Sequence, residues 1–145
     1  MQADDMKERF EQIVQWFEQL SPASLDSLGN VYAADAKFRD PFNDLTGWDR
    51  IRSVYQHMFD SLDSPRFFIT NVVANGLQAF IVWDFVFVLR GRSMHIHGCT
   101  QLVLNRDGLI MLHRDYWDAA EELYEKLPLL GGLLRWLKRR IAITY

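Results

Sequence analysis

Three groups of residues have the types and spacing to do chemistry. Asp40 precedes Pro41 at the end of a short extended run, Lys37 to Asp40. A carboxylate placed there can act as a general base if it faces an apolar cleft. The same residue can equally be a turn former, solvated or paired with Arg39 or Arg50. His113 and Asp115 stand two apart on a predicted strand, so they share one face. A carboxylate that orients an imidazole makes a proton-transfer pair. The competing register turns Arg114 and Tyr116 to that face, because a single bulge exchanges the two sides. His95 and His97 share a face with Cys99 and Gln101, and Asp84 is predicted to fall roughly across from His97. Two histidines and an aspartate can hold zinc. The pattern reads better as a polar cluster on the outer face, and no metal is predicted. No phosphate-binding glycine loop and no strong metal motif occurs, so no cofactor is predicted.

The elements that must position these groups follow from periodicity. Met6, Phe10, Ile13, Phe17 and Leu20 predict a helix over 3–20, with Trp16 beside the stripe. Ser21-Pro22 opens a second helix carrying Leu25, Leu28, Val31 and Tyr32, which fades near Ala33-Ala34-Asp35. Thr46 is the predicted N-cap of a third helix, with Asp49 completing a capping-box variant. That helix buries Trp48, Ile51, Val54, Tyr55, Met58, Phe59 and Leu62. From Arg66 to Trp117 the chain reads as strand. Turn signals at Asn75-Gly76, Arg90-Gly91-Arg92 and Asn105–Gly108 divide it into a four-strand meander. Ile81, Trp83, Phe85, Phe87 and Leu89 alternate to form a broad apolar wall. Met111 is expected to point inward with His113, Asp115 and Trp117. Residues 118–127 resume helical spacing, Pro128 and Gly131-Gly132 break it, and Leu133 to Ile141 form a last short helix.

Composition bounds the partners. The chain has 145 residues, 49% of them hydrophobic, which suits one domain with a real core. The net charge of −3 gives no electrostatic case for nucleic acid. One cysteine excludes an internal disulfide, and with no leader-like start a cytosolic setting is expected. The charge is unevenly spread. Arg135, Lys138, Arg139 and Arg140 crowd the tail, where no acid follows Lys126. With Trp136 at the boundary of a leucine stripe, this stretch has the make-up of an interfacial helix on anionic lipid. It reads better as a C-terminal helix closing the domain, its cations favoured at a helix C-terminus, because nine residues are short for independent lipid binding.

Three helices, a short strand and a four-strand meander form an order that resembles the nuclear transport factor 2-like superfamily. Tyr32-Ala33-Ala34-Asp35-Ala36-Lys37-Phe38-Arg39-Asp40-Pro41, Gly47-Trp48-Asp49-Arg50-Ile51 and the strand end His113-Arg114-Asp115-Tyr116-Trp117-Asp118 carry the likeness, which covers about residues 5–120 and looks most like a SnoaL-like member. The resemblance implies an α+β cone in which a curved antiparallel sheet wraps the helices around an apolar cavity, with residues 118–145 as a helical extension. It also implies a homodimer paired through the convex sheet. In ketosteroid isomerase the aspartate before this proline is the base, which matches Asp40. The two oxyanion donors of that enzyme fall on or next to Trp16 and near Thr100, which do not reproduce its tyrosine and protonated aspartate. Scytalone dehydratase uses an Asp–His pair in a similar cavity, which His113 and Asp115 could supply.

These readings predict a protein that holds a small apolar molecule and can catalyse isomerisation, cyclisation or dehydration. Asp40 would be the base, His113 its acid partner or relay, and Asp115 the residue orienting the histidine. Trp16, Phe38, Tyr55, Phe59, Trp83, Phe85, Thr100 and Trp117 are the predicted lining. The alternative is a non-catalytic binding protein whose tail, through Arg135, Trp136, Lys138, Arg139 and Arg140, touches membrane or a partner.

Overall fold

The computed structural model describes residues 2–122 and 128–141, the latter without the side chains of 128–130, 134, 137, 138 and 141. Helix α1 runs Ala3–Glu18. Met6, Phe10, Ile13 and Phe17 recur at steps of four, three and four and are its buried face. Asp4 and Asp5 sit in its first turn, where the helix dipole favours negative charge.

The second helical segment is a 3-10 helix, Pro22–Asn30, that buries Leu25 and Leu28. It ends before the predicted Ala33-Ala34-Asp35. Gly29-Asn30 are poor helix formers, and Ile110 N–H captures Val31 O at 2.8 Å. Strand β1 therefore starts at Tyr32 and runs to Arg39, a longer strand than the predicted Lys37–Asp40. A three-residue strand β2, Asp44–Thr46, pairs back on it antiparallel, with Lys37 opposite Thr46 and Arg39 opposite Asp44. A strand this short leaves no readable alternation. It also takes Thr46 out of the predicted cap position. The N-cap of α2 (Trp48–Ser61) is Gly47 at φ 99°, a conformation that suits glycine. Helix α2 buries Ile51 and Tyr55 and leans Val54, Met58 and Phe59 on the core. Trp48 was expected inside but is 37% exposed; its indole N–H donates to Tyr32 O at 2.7 Å.

The meander stands at the predicted turns: β3 (Asp63–Asn75), β4 (Gln78–Leu89), β5 (Arg92–Leu104) and β6 (Ile110–Tyr116). The six-stranded sheet has the order β2-β1-β6-β5-β4-β3. Its one parallel junction is β1 with β6, which sets Phe38 opposite His113. The sheet is curved and unclosed. Helix α1 packs toward β3, and α2 contacts both β1 and β3. Ile81, Trp83, Phe85 and Phe87 are all buried against the helices, as the alternation predicts. A buried side chain of this size contributes about 1.5–3 kcal/mol, so this wall anchors the fold.

Strand β6 departs from strict alternation. Leu104 pairs with Ile110 and Val103 with Leu112, so Met111 is an extra residue in a bulge. Met111 is 47% exposed, which corrects its expected inward direction, while Ile110 and His113 are both buried.

After β6 come α3 (Ala119–Glu122) and α4 (Pro128–Ile141), which contact each other. Helix α4 runs through Gly131-Gly132, where a break was expected. Proline at the first helical position is well tolerated, and each glycine costs a helix only about 1 kcal/mol. No described helix is long and apolar enough to cross a membrane.

Candidate functional site

The curved sheet and the helices enclose an apolar cavity of about 170 Å³. Phe17 enters it from α1, and Val54, Tyr55 and Met58 from α2. The sheet supplies Phe38, Phe67, Ile69, Ile81, Trp83, Phe85, Ile96 and Thr100, and then His113 and Asp115 from β6. Asp40, Asp115 and Trp117 also border a groove on the surface, which places them at the mouth.

A continuous hydrogen-bonded chain runs through the wall of this cavity. Tyr55 Oη lies 2.7 Å from Tyr32 Oη, which lies 2.8 Å from His113 Nδ1. His113 Nε2 is 2.7 Å from Asp115 Oδ1. Thr100 Oγ1 donates to the same Oδ1 at 2.6 Å and accepts Trp83 Nε1–H at 2.7 Å. The bulge at Met111 makes this possible. Strict alternation from buried Ile110 would send Arg114 and Tyr116 inward; with the extra residue, His113 and Asp115 face the cavity. Arg114 lies outside, its guanidinium 4.8 Å from the Tyr116 ring centroid.

Both tyrosines are fully enclosed. Burial, then the neighbouring Tyr55, pushes the Tyr32 hydroxyl well above its ordinary pKa. Burial likewise raises that of Tyr55; the hydrogen bond with Tyr32 opposes the shift, and the charges of Asp115 and Asp40 add to it. The His113 ring lies between aromatic neighbours, 4.5 Å from Phe38 and 5.7 Å from Phe17 between centroids.

Asp40 forms the predicted turn and also borders the cavity. Its Oδ1 accepts Phe42 N–H at 2.8 Å, Asn43 N–H at 2.6 Å and Asn43 Nδ2–H at 3.1 Å, which fixes the turn into β2. Its Oδ2 accepts only Asn43 Nδ2–H, at 3.0 Å, among the described residues. The residue nonetheless lines the cavity mouth. Arg39 reaches Asp44, at 4.0 Å, and not Asp40.

Of the predicted lining, Phe38, Tyr55, Trp83, Phe85, Thr100 and Trp117 reach the cavity. Trp16 and Phe59 do not. On α1 the neighbouring Phe17 takes the inward position. Trp16 packs edge-on behind it against Tyr32 and Tyr55, 6.1 and 6.0 Å away. Phe59 leans on the core from the side of α2. Tyr32 is the central residue that sequence reasoning missed, because it was read as the end of a helical stripe. The usable signal was chemical: a tyrosine in an apolar run needs a partner for its hydroxyl.

His95 and His97 lie on the outer face. Nε2 of one and Nδ1 of the other both sit 2.8 Å from Asp84 Oδ1. The bonds from His97 and His95 hold the Asp84 carboxyl below its ordinary pKa. Among the described residues no group of three or more metal-ligating side chains is arranged to hold an ion. Cys99 shares this face; burial, then the charge of Asp115, pushes its thiol up. In the tail, Arg135, Trp136, Arg139 and Arg140 are exposed on α4, while the Lys138 side chain lies outside the described residues.

The profile of the SnoaL-like domain family matches residues 13–113, which includes β1, the turn at Asp40 and β6 as far as His113. The chain belongs to the SnoaL-like domain family. Solved structures repeat this SnoaL-like fold. A protein with a ketosteroid isomerase-like fold from Catenulispora acidiphila, in complex with trimethylamine, is 21% identical with a TM-score of 0.66, covering 77% of this chain and 88% of its own. An NTF2-like protein of unknown function from Burkholderia pseudomallei gives 14% and 0.69, covering 80% and 92%. An LEH-like epoxide hydrolase of M. tuberculosis gives 18% and 0.66, covering 88% and 94%. At these identities the likeness concerns the fold. No curated protein matches the chain.

Proposed function

We propose that this SnoaL-like protein binds a small apolar molecule in the cavity and transfers protons on it, in an isomerisation, cyclisation or dehydration. The observation that carries this reading is the chain Tyr55–Tyr32–His113–Asp115–Thr100 opening into an otherwise apolar cavity. Buried polar groups are costly unless they are satisfied, and here Tyr55, Thr100, His113 and Asp115 line the wall where a ligand would meet them. Asp40 is the proposed base, acting through Oδ2. His113 is the relay, and Asp115 holds its imidazole. In a low-dielectric cleft a positioned carboxylate is an effective proton acceptor.

Exchange of carbon-bound hydrogen for deuterium in D2O, followed by NMR over a panel of small cyclic hydroxyketones, tests this reading. The protein is expected to accelerate exchange for at least one compound that binds. Asp40→Asn is expected to lower that rate about 10²–10⁴-fold. Exchange at the buffer rate for compounds shown to bind would leave a binding protein without catalysis.

A second reading is that α4 touches an anionic membrane, favoured by exposed Leu133 and Trp136 beside Arg135, Arg139 and Arg140. Pairing of two copies through the convex sheet is also proposed, on the exposure of Phe68, Phe80 and Tyr116. Light scattering that returns the monomer mass would remove the pairing.

A further inference from the structure

The hydrogen-bonded chain behind the cavity has a direction, and the direction selects a ligand. An indole N–H can only donate. Thr100 Oγ1 therefore accepts from Trp83 and turns its own hydrogen to Asp115 Oδ1, at 2.6 Å. The same Oδ1 is met by His113 Nε2 at 2.7 Å, so that nitrogen carries the hydrogen. Where the imidazole holds that one hydrogen and no second, the other nitrogen accepts, and the directions that follow hold for this form. Tyr32, 2.8 Å from Nδ1, spends its single hydrogen there. At its 2.7 Å contact with Tyr55 it is left as the acceptor, and Tyr55 is the donor. The raised pKa of both hydroxyls keeps the two hydrogens in place.

Every hydrogen of the chain is thus consumed inside the wall. The lining members of the chain are left with lone pairs to offer: Tyr55, whose hydrogen goes to Tyr32, and Asp115, whose Oδ1 takes both bonds, with Asp40 at the mouth. Trp117, also at the mouth, carries an indole N–H that stands outside the chain. A hydroxyl entering this site meets acceptors. A carbonyl leaves water and meets oxygen against oxygen. Sites built to pair with a ligand hydroxyl reject analogues that lack it, since the buried partners are left unpaired.

Resting on the binding reading above, we propose that the cavity selects a small apolar alcohol or phenol over the matching ketone or ether, and that Tyr32, outside the cavity, sets this preference. Tyr32 is a positioning residue, absent from the lining and fully buried. With phenylalanine at 32, Tyr55 loses its acceptor. Its hydrogen is then free to turn into the cavity, and the wall gains a donor.

The test is calorimetric titration of the full chain with cyclohexanol and cyclohexanone, two probes of nearly equal size. In the wild type the alcohol is expected to bind about tenfold more tightly. In Tyr32→Phe the ratio is expected to fall to about one or to invert. If the ketone binds as well as the alcohol to the wild type, the inference is overturned while the binding reading stands. If neither probe binds, the binding reading itself falls. A wild-type preference that survives unchanged in a folded Tyr32→Phe overturns the role of Tyr32. Should that variant not fold, Tyr55→Phe replaces it. Removing the acceptor oxygen should weaken the alcohol and leave the ketone unchanged, and equal loss for both would count against the assignment.

Discussion

Gly98 lies directly beneath the indole of Trp83. The two residues are paired across β4 and β5, and a Cβ at position 98 would fall 2.6 Å from Trp83 Cζ2. That contact is closer than real side chains adopt, so only a residue without a Cβ lets the ring lie flat on the strand. Trp83 in turn holds Thr100 at 2.7 Å. The glycine therefore supports the far end of the chain that reaches Asp115.

Gly98→Ala should push the indole off the strand and break its bond to Thr100. Overpacking of this kind costs about 1–3 kcal/mol. Chemical denaturation should show a lower midpoint at unchanged slope, together with a changed near-ultraviolet signal from Trp83. A variant as stable as the wild type, with the same signal, would contradict the packing described.

The turn role of Asp40 and its proposed role as base separate on substitution. Asparagine keeps an oxygen that can accept Phe42 and Asn43 N–H, so Asp40→Asn should change stability by less than about 1 kcal/mol. Alanine removes the acceptor, and Asp40→Ala should cost about 1–2 kcal/mol through the turn. If both variants lose stability equally, the carboxylate charge and not the turn geometry is what matters to the fold.

The enclosed tyrosines predict how the protein fails in alkali. The folded-state values of Tyr32 and Tyr55 lie above the unfolded value of about 10. Their contribution to stability is complete below that value and is lost as pH rises toward the folded values. The slope is about 1.4 kcal/mol per pH unit for each residue. Of the chain's five tyrosines, two should resist ionisation until the protein unfolds. Phenolate absorbance that develops fully while circular dichroism stays native would refute their enclosure.

If α4 meets lipid, truncation after residue 127 should abolish co-sedimentation with phosphatidylserine-containing vesicles. Binding of the full chain should weaken as salt rises, since cationic contacts near a charged surface are screened over a Debye length. Exposed Trp136, with the Arg140 guanidinium 5.3 Å from its ring, should shift its fluorescence on binding. Retained binding after truncation would exclude the tail as the contact.

Much of this architecture was written in local pattern. The stripe Met6–Phe10–Ile13–Phe17, the wall Ile81–Trp83–Phe85–Phe87 and the Gly-containing turns are short-range features, so periodicity alone located α1, β4 and the meander. The pairing of Asp84 with His97 followed from counting across one turn. The family likeness marked Asp40, and alternation marked His113 with Asp115 as sharing a face.

Which face that was could not be read from the residues. It depended on one extra residue at Met111, whose bulge is set by pairing with Val103 and Leu104 on the neighbouring strand. Tyr32 entered the site only because β1 starts early and lies parallel to β6, a contact between segments about 80 positions apart. Trp16 yielded its expected place to Phe17, which the apolar stripe of α1 already set on the inward face with Trp16 beside it. Sequence alone determined α1, α2 and the four-strand meander, since local sterics and apolar period decide them. Tertiary structure decided which side chains share the cavity, since long-range strand pairing sets each side chain's direction.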